Sequence, residues 1–225
     1  SHALIGGLIG ATLAKAGVSA LIGPGIVRVA AFIVLSPLFG FVLGILLMAL
    51  MGWVLKGASM RGADRWMRRL QLVSSALYSL GHGGNDAQKT MGVIWLMLIA
   101  AGVTEPDNLP AWVVIACYLS IALGTLFGGW RIVRTMGQRI TRLRPVSGFC
   151  AETSGAFMLC LASAAGIPVS STQTITSAIV GVGTANRISA VRWGVAGSLI
   201  WTWALTIPAT ALMAAIGWAV SGWFF

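Results

Sequence analysis

Charge is scarce in this sequence of 225 residues: 9% of positions are Asp, Glu, Lys or Arg, against about 25% in a typical soluble domain, while 57% are hydrophobic. A chain of that composition cannot cover itself with a water-facing surface, which excludes a soluble globular domain. There are five acidic residues and two histidines, few for a metal site, and neither an HExxH nor a GxSxG pattern occurs. An intramembrane enzyme, which needs a nucleophile and base or a metal set, is therefore disfavoured. The three cysteines, Cys117, Cys150 and Cys160, lie in or beside apolar runs without CxxC spacing. They read as small membrane-buried residues, not as a metal cluster or a disulfide framework.

What is present is hydrophobic length. Segments 29–55, 111–130, 153–186 and 193–225 are uncharged, and each reaches or exceeds the roughly 20 apolar residues that cross a hydrocarbon layer. The net charge is +10, but ten of the fifteen cations fall in two short segments, 56–69 and 131–144, between hydrophobic runs. That is the pattern of cytoplasmic loops under the positive-inside rule. No basic segment is interleaved with aromatics, so nucleic acid is not expected as a partner; membrane lipid is. Trp112, Trp130, Trp218 and Trp223 lie near span ends, as an interfacial belt would.

Two cytoplasmic loops require an even number of crossings between them, and 71–101 and 111–130 supply two. The first is expected to be interrupted at its glycines. The connector 104–110 holds Glu105 and Asp107 and no cation, as an external loop would. The long run 147–186 is broken by Gly166-Ile167-Pro168, and proline disfavours helix in the residue before it. This predicts a re-entrant hairpin of two half-helices, with Arg187 and Arg192 back on the cytoplasmic side.

A weak internal repeat lies at an offset of 171 residues, which sets Ser1 to Gly10 over Thr172 to Gly181 and Pro37 over Pro208. The two copies would run in opposite directions across the membrane. Inverted repeats with broken helices are the recurrent plan of secondary transporters. The expected fold is thus all-α, a polytopic transmembrane helical bundle of inverted repeats with re-entrant half-helices. Its divisions would be 1–55, the end of the first repeat; 56–69, a cytoplasmic basic loop; and 70–225, the second repeat. The same offset puts the first-repeat counterpart of Asn85-Asp86 before residue 1, so a missing N-terminal portion of the same transporter is expected as a partner.

Asp86 and Glu152 are the acids next to or within apolar runs, where an ionisable group is costly by a few kcal/mol or more and is a functional candidate by default. Asp86 belongs to Gly81-His82-Gly83-Gly84-Asn85-Asp86-Ala87-Gln88-Lys89. The glycines there predict an unwound stretch whose half-helix N-terminus faces an anion; the alternative is a surface loop with Asp86 as N-cap and Lys89 as its partner. Ser170, Ser171, Thr172, Gln173 and Thr174 follow Pro168; they can cap a half-helix or donate to a bound oxyanion. Glu152 reads either as an interfacial acid paired with Arg144 or as the carboxylate for a coupling cation or proton. His2 could titrate near neutral pH or serve packing.

These motifs, Gly81 to Gly92, Gly148-Phe149-Cys150-Ala151-Glu152, Gly166 to Gln173 and Ser1 to Gly7, resemble in order those of the inorganic phosphate transporter (PiT) family of cation-coupled symporters, which also includes proton-coupled sulfate carriers. The resemblance implies symport of inorganic phosphate by alternating access, driven by a co-transported sodium ion or proton, with no cofactor and no metal. It implies that Asn85, Asp86, Gln88, Ser170, Ser171, Thr172, Gln173 and Ser1 enclose the phosphate, and that Asp86, Glu152 and His2 serve coupling. Gln173 stands where many relatives have His, which leaves the driving cation open. It further implies a bacterial inner (plasma) membrane protein, with a homo-oligomer possible. A sulfate carrier of the same fold and a non-transporting scaffold subunit are the alternatives.

Overall fold

The computed structural model describes residues 1–57 and 59–222, with only the backbone of Met60, Arg61, Arg131 and Ile132. Trp223 and the two residues after it, the end of the run 193–225, lie outside the described residues. Among these the chain is helical: α1 (His2–Ala16), α2 (Gly23–Val54), α3 (Met60–Ala100), α4 (Ala111–Gly128), α5 (Trp130–Arg134), α6 (Pro145–Ala164), α7 (Ser171–Asn186) and α8 (Trp193–Ser221). Four of them, α2, α4, α6 and α8, are long and apolar enough to cross a membrane. Large apolar side chains such as Phe127, Trp130, Trp201 and Met213 point outward, as lipid-facing surfaces require.

The internal repeat has a physical counterpart. In both copies a short helix, a single 3₁₀ turn and a long helix follow one another: α1, Val18–Ala20, α2, and then α7, Ile188–Ala190, α8. The short helix of each copy packs on the long helix of the other. Gly6 approaches Ile207 and Gly10 approaches Ala211 on α8, while Gly40 approaches Thr174 and Gly44 approaches Ala178 on α7. Position numbers rise together across both pairs, so α1 runs parallel to α8 and α2 parallel to α7. Because the tight connection at 17–22 reverses the chain between α1 and α2, the short helices α1 and α7 point in opposite directions. This is the inversion expected from the repeat. Without a hydrophobic drive between helices in lipid, such crossings depend on close backbone approach; a Cβ on Gly44 would lie 2.6 Å from the Ala178 carbonyl oxygen.

The predicted hairpin is present. Gly166 adopts φ 64° and ends α6, its N–H donating to the Ser163 carbonyl at 3.1 Å while the Ile167 N–H donates to that of Ala162 at 3.0 Å. α7 starts five residues later, and its far end returns to the start of α6, where the Asn186 amide reaches Ser147 at 3.5 Å. The hairpin is the interior of the molecule: Cys150, Ala151, Leu159, Val169, Ala178 and Val182 are fully enclosed.

Two expectations are corrected. The basic segment 56–69 is mostly not a loop, because α3 begins at Met60 with Ser59 as its cap, the Ser59 hydroxyl accepting from the Gly62 N–H at 3.3 Å. Nor is 71–101 interrupted: α3 continues as one helix of 41 residues through Gly81, Gly83 and Gly84. Each glycine costs a helix roughly 1 kcal/mol relative to alanine, whereas each unpaired backbone group at membrane depth costs several. Continuity therefore wins.

Candidate functional site

Asp86 stands two-thirds of the way along α3, opposite the start of α7. Its two oxygens are both engaged: Lys89 Nζ donates to Oδ1 at 2.8 Å and the Ser171 hydroxyl donates to Oδ2 at 2.9 Å. Lys89, one helical turn on, also donates to the Val169 carbonyl at 2.6 Å. That carbonyl is a hub, receiving further hydrogen bonds from the Asn85 side-chain amide at 3.1 Å and the Ser1 hydroxyl at 2.9 Å. Pro168 explains its orientation in part: with no helix before α7, the carbonyl just ahead of the helix has no intrahelical donor and must be satisfied by side chains.

Ser1, Leu4, Asp86, Lys89, Thr90, Val93, Ser170, Ser171 and Thr172 line a cavity of about 330 Å³. Asp86, Lys89 and Thr90 of α3 and Ser170, Ser171 and Thr172 at the start of α7 make its polar wall, Leu4 of α1 and Val93 of α3 its apolar one. Ser170 occupies the N-cap position of α7, yet no side-chain hydrogen bond caps the helix there. The N-terminal end of α7, with its partial positive charge, borders the cavity. Lys89 is 11% exposed. An ammonium has three donors, and two are used by Asp86 and Val169. One remains for the cavity.

The structure brings Ser1, Asp86, Ser170, Ser171 and Thr172 to this one cavity, with Asn85 buried directly behind it. It does not bring all the others. Gln88 is exposed on another face of α3: in an unbroken helix, two positions beyond Asp86 is most of the way to the opposite side. Gln173 is buried and faces His2, with the amide nitrogen 3.0 Å from the imidazole Nε2. Those two residues are equivalents in the repeat, being 171 positions apart. A contact between equivalent side chains lies on the pseudo-two-fold axis, so His2 and Gln173 pin α1 to α7 on that axis and line no part of the cavity. Glu152 lies further along, on α6 against α3, where the Ser74 hydroxyl donates to it at 2.6 Å and the Gln71 amide at 3.4 Å. Its partners are these two and not Arg144.

His82 was not among the expected site residues. Its Nδ1 lies 3.3 Å from Asp86 Oδ2, in ion-pair range but not aligned for a hydrogen bond, and its ring stacks on Tyr78 at 5.9 Å between centroids. The spacing of four residues was the available signal. It carries information only if the segment is helical, and the glycines argued otherwise. Lys89, named from the sequence only as a partner of Asp86 in a surface loop, is a cavity wall for the same reason.

Comparison with known proteins places these features in context. The model of the phosphate transporter family matches residues 56–214. A "Probable low-affinity inorganic phosphate transporter" of Rhizobium meliloti is 55% identical over 217 residues, 96% of this chain and 65% of its own length. The protein of the same description from Bacillus subtilis is 39% identical over 226 residues, 100% of this chain and 68% of its own. A solved structure titled "The sodium-dependent phosphate transporter" shares the fold with a TM-score of 0.66 at 22% identity, over 100% of this chain and 65% of that one. The chain thus spans about two-thirds of the length of these proteins.

Proposed function

This chain belongs to the phosphate transporter family, and from that premise we propose that it forms the larger part of a bacterial inner-membrane symporter that moves inorganic phosphate with a sodium ion or a proton by alternating access. The observation that carries the coupling is the single proton of Ser171. A hydroxyl has one O–H donor, and here it is given to Asp86 Oδ2 at 2.9 Å. While Asp86 is a bare carboxylate it holds the Ser171 proton and one Lys89 donor, and it repels an incoming anion. A cation or proton on Asp86 cancels that repulsion and releases both donors to the phosphate. Ser171, Lys89, the hydroxyls of Ser170 and Thr172, and the N-terminal end of α7 then face one bound oxyanion, while the Ser1 hydroxyl stays on the Val169 carbonyl at the cavity wall.

In this scheme Asn85 orients the Val169 carbonyl and so the start of α7, and His82 beside Asp86 is placed to sense the charge there. No covalent chemistry is involved. Glu152, half-buried between α3 and α6 with hydroxyl and amide partners, tunes the cation step from outside the cavity.

The test is uptake of radiolabelled phosphate into proteoliposomes of the full-length transporter, with sodium and proton gradients imposed separately. Uptake driven by one gradient, competed weakly by sulfate, and made independent of that gradient or abolished by Asp86→Asn supports the reading. Gradient-driven uptake that persists in Asp86→Asn would sink the coupling role; sulfate moving instead of phosphate would overturn the substrate.

A further inference from the structure

We infer that a second anion site, outside the transport cavity, lies at the cytoplasmic surface and binds phosphate groups. Arg134, Arg139, Arg142 and Arg192 converge with Gly137, Gln138 and Leu143 on a cavity of about 470 Å³. Three of these arginines lie within nine residues of one another, but Arg192 arrives from the start of α8. The positive-inside rule accounts for arginines in this segment and not for their convergence from separate segments on one hollow.

A backbone hydrogen bond and a buried side chain hold together the segments that carry these exposed arginines. Thr135–Ile140 forms a π-helical turn, a rare conformation that is frequent at functional sites. Its end is tied to the start of α8 by the Arg192 N–H donating to the Ile140 carbonyl at 2.9 Å, and Ile140 itself is fully buried against Val182, Val191 and Ala196. Gly137 leaves the wall open, since a Cβ there would meet nothing within 4 Å. The ion pairs of the described residues both involve Asp86; none joins a carboxylate to these arginines. Four guanidinium groups around one hollow repel each other unless an anion joins them, and the planar, bidentate guanidinium is the side chain best matched to phosphate oxygens.

The position also assigns a consequence. The π turn packs on α7, where the Thr176 hydroxyl, which donates to the Thr172 carbonyl at 2.6 Å, touches Met136 Sδ at 3.3 Å and Gly183 abuts Thr141. α7 leads from there to Ser171 and Thr172 in the transport cavity. An anion bridging the arginines braces the cytoplasmic end of the helix whose other end binds substrate. The ligand is a phosphate group carried either by an anionic lipid head, for which basic pockets beside transmembrane helices are suited, or by free inorganic phosphate on the cytoplasmic side.

The experiment uses the full-length transporter in phosphatidylcholine nanodiscs and reads Tm and bound ligand in two arms, one with phosphatidylglycerol added to the bilayer and one with inorganic phosphate added to the buffer. The variants are Arg139→Gln/Arg142→Gln, Arg192→Gln on the other segment should the pair fail to fold, and Arg65→Gln/Arg68→Gln on α3 as a control outside the hollow. The expected result is a Tm rise in one arm, reduced in the hollow variants and kept in the control. Each lost arginine is expected to weaken binding about fivefold, and the pair about thirtyfold. A response to phosphatidylglycerol that the hollow variants lose identifies lipid, and a response to inorganic phosphate that they lose identifies the free ion; a phosphate response that the hollow variants keep in full belongs to the transport cavity and counts against this site. If neither arm responds, or if the control loses the response as fully as the hollow variants, the site does not exist.

Discussion

At the residue scale, the divide falls inside a single motif. Asp86, Lys89 and Gln88 lie within four positions, yet an unbroken helix turns the first two to the cavity and the third to the outside. Lys89→Gln is therefore expected to reduce phosphate uptake at least tenfold, since a hydrogen bond from a charged group is worth about 1.5–3 kcal/mol. Gln88→Ala should leave uptake within about twofold of the unsubstituted protein, as surface changes stay within about 0.5 kcal/mol. Initial-rate uptake in proteoliposomes distinguishes the two; equal losses would mean that the α3 face has been misassigned. Glu152 differs again. Its partners are Ser74 and Gln71, away from the cavity, so Glu152→Gln should change uptake while leaving equilibrium phosphate binding within about twofold, an effect of under about 0.5 kcal/mol. A loss of binding to match the loss of uptake would put it in the substrate site instead.

At the element scale, the two reciprocal helix crossings and the hairpin turn make separate demands. Gly44 and Gly181 let α2 and α7 meet backbone to backbone. Leucine at either position must push the helices apart, and the expected loss is about 3 kcal/mol or more, at the upper end of overpacking costs. A clear fall in Tm and in the yield of folded protein from detergent would show it; unchanged melting would mean that the crossing is looser than its geometry. Gly166 is a milder case. Its φ of 64° is in the left-handed region, and Gly166→Ala should cost about 1–2 kcal/mol, read as a smaller Tm shift. Open space around it leaves the conformation as the whole of the penalty.

At the scale of the whole molecule, the helix directions and the placement of cations agree on one orientation. α3 leaves the side that carries Arg65 and Arg68, α4 returns to the side that carries Arg134 and Arg139, and the connector with Glu105 and Asp107 lies opposite. In a background with Cys117, Cys150 and Cys160 replaced by serine, a cysteine at Asn108 should react with a membrane-impermeant maleimide added outside intact cells. One at Gln138 should react only in inverted vesicles. The reverse pattern would turn the molecule over while leaving its internal geometry untouched.

The sequence alone determined that the chain lives in a membrane, because charge so sparse and apolar runs so long have no stable form in water. It determined the hairpin as well, since Gly166 and Pro168 act on their own backbone and need no partner, and it carried the repeat and the two polar motifs at Asp86 and Ser171. Only the tertiary structure decided that α3 stays whole through its glycines, because that balance weighs local propensity against backbone groups that lipid cannot satisfy. From that one decision follow the inclusion of His82 and Lys89 beside Asp86 and the exclusion of Gln88. The separation of Glu152 from the cavity and the pairing of His2 with Gln173 on the pseudo-two-fold axis were equally tertiary, since contacts between residues 78 and 171 positions apart depend on how helices cross and not on any pattern along the chain.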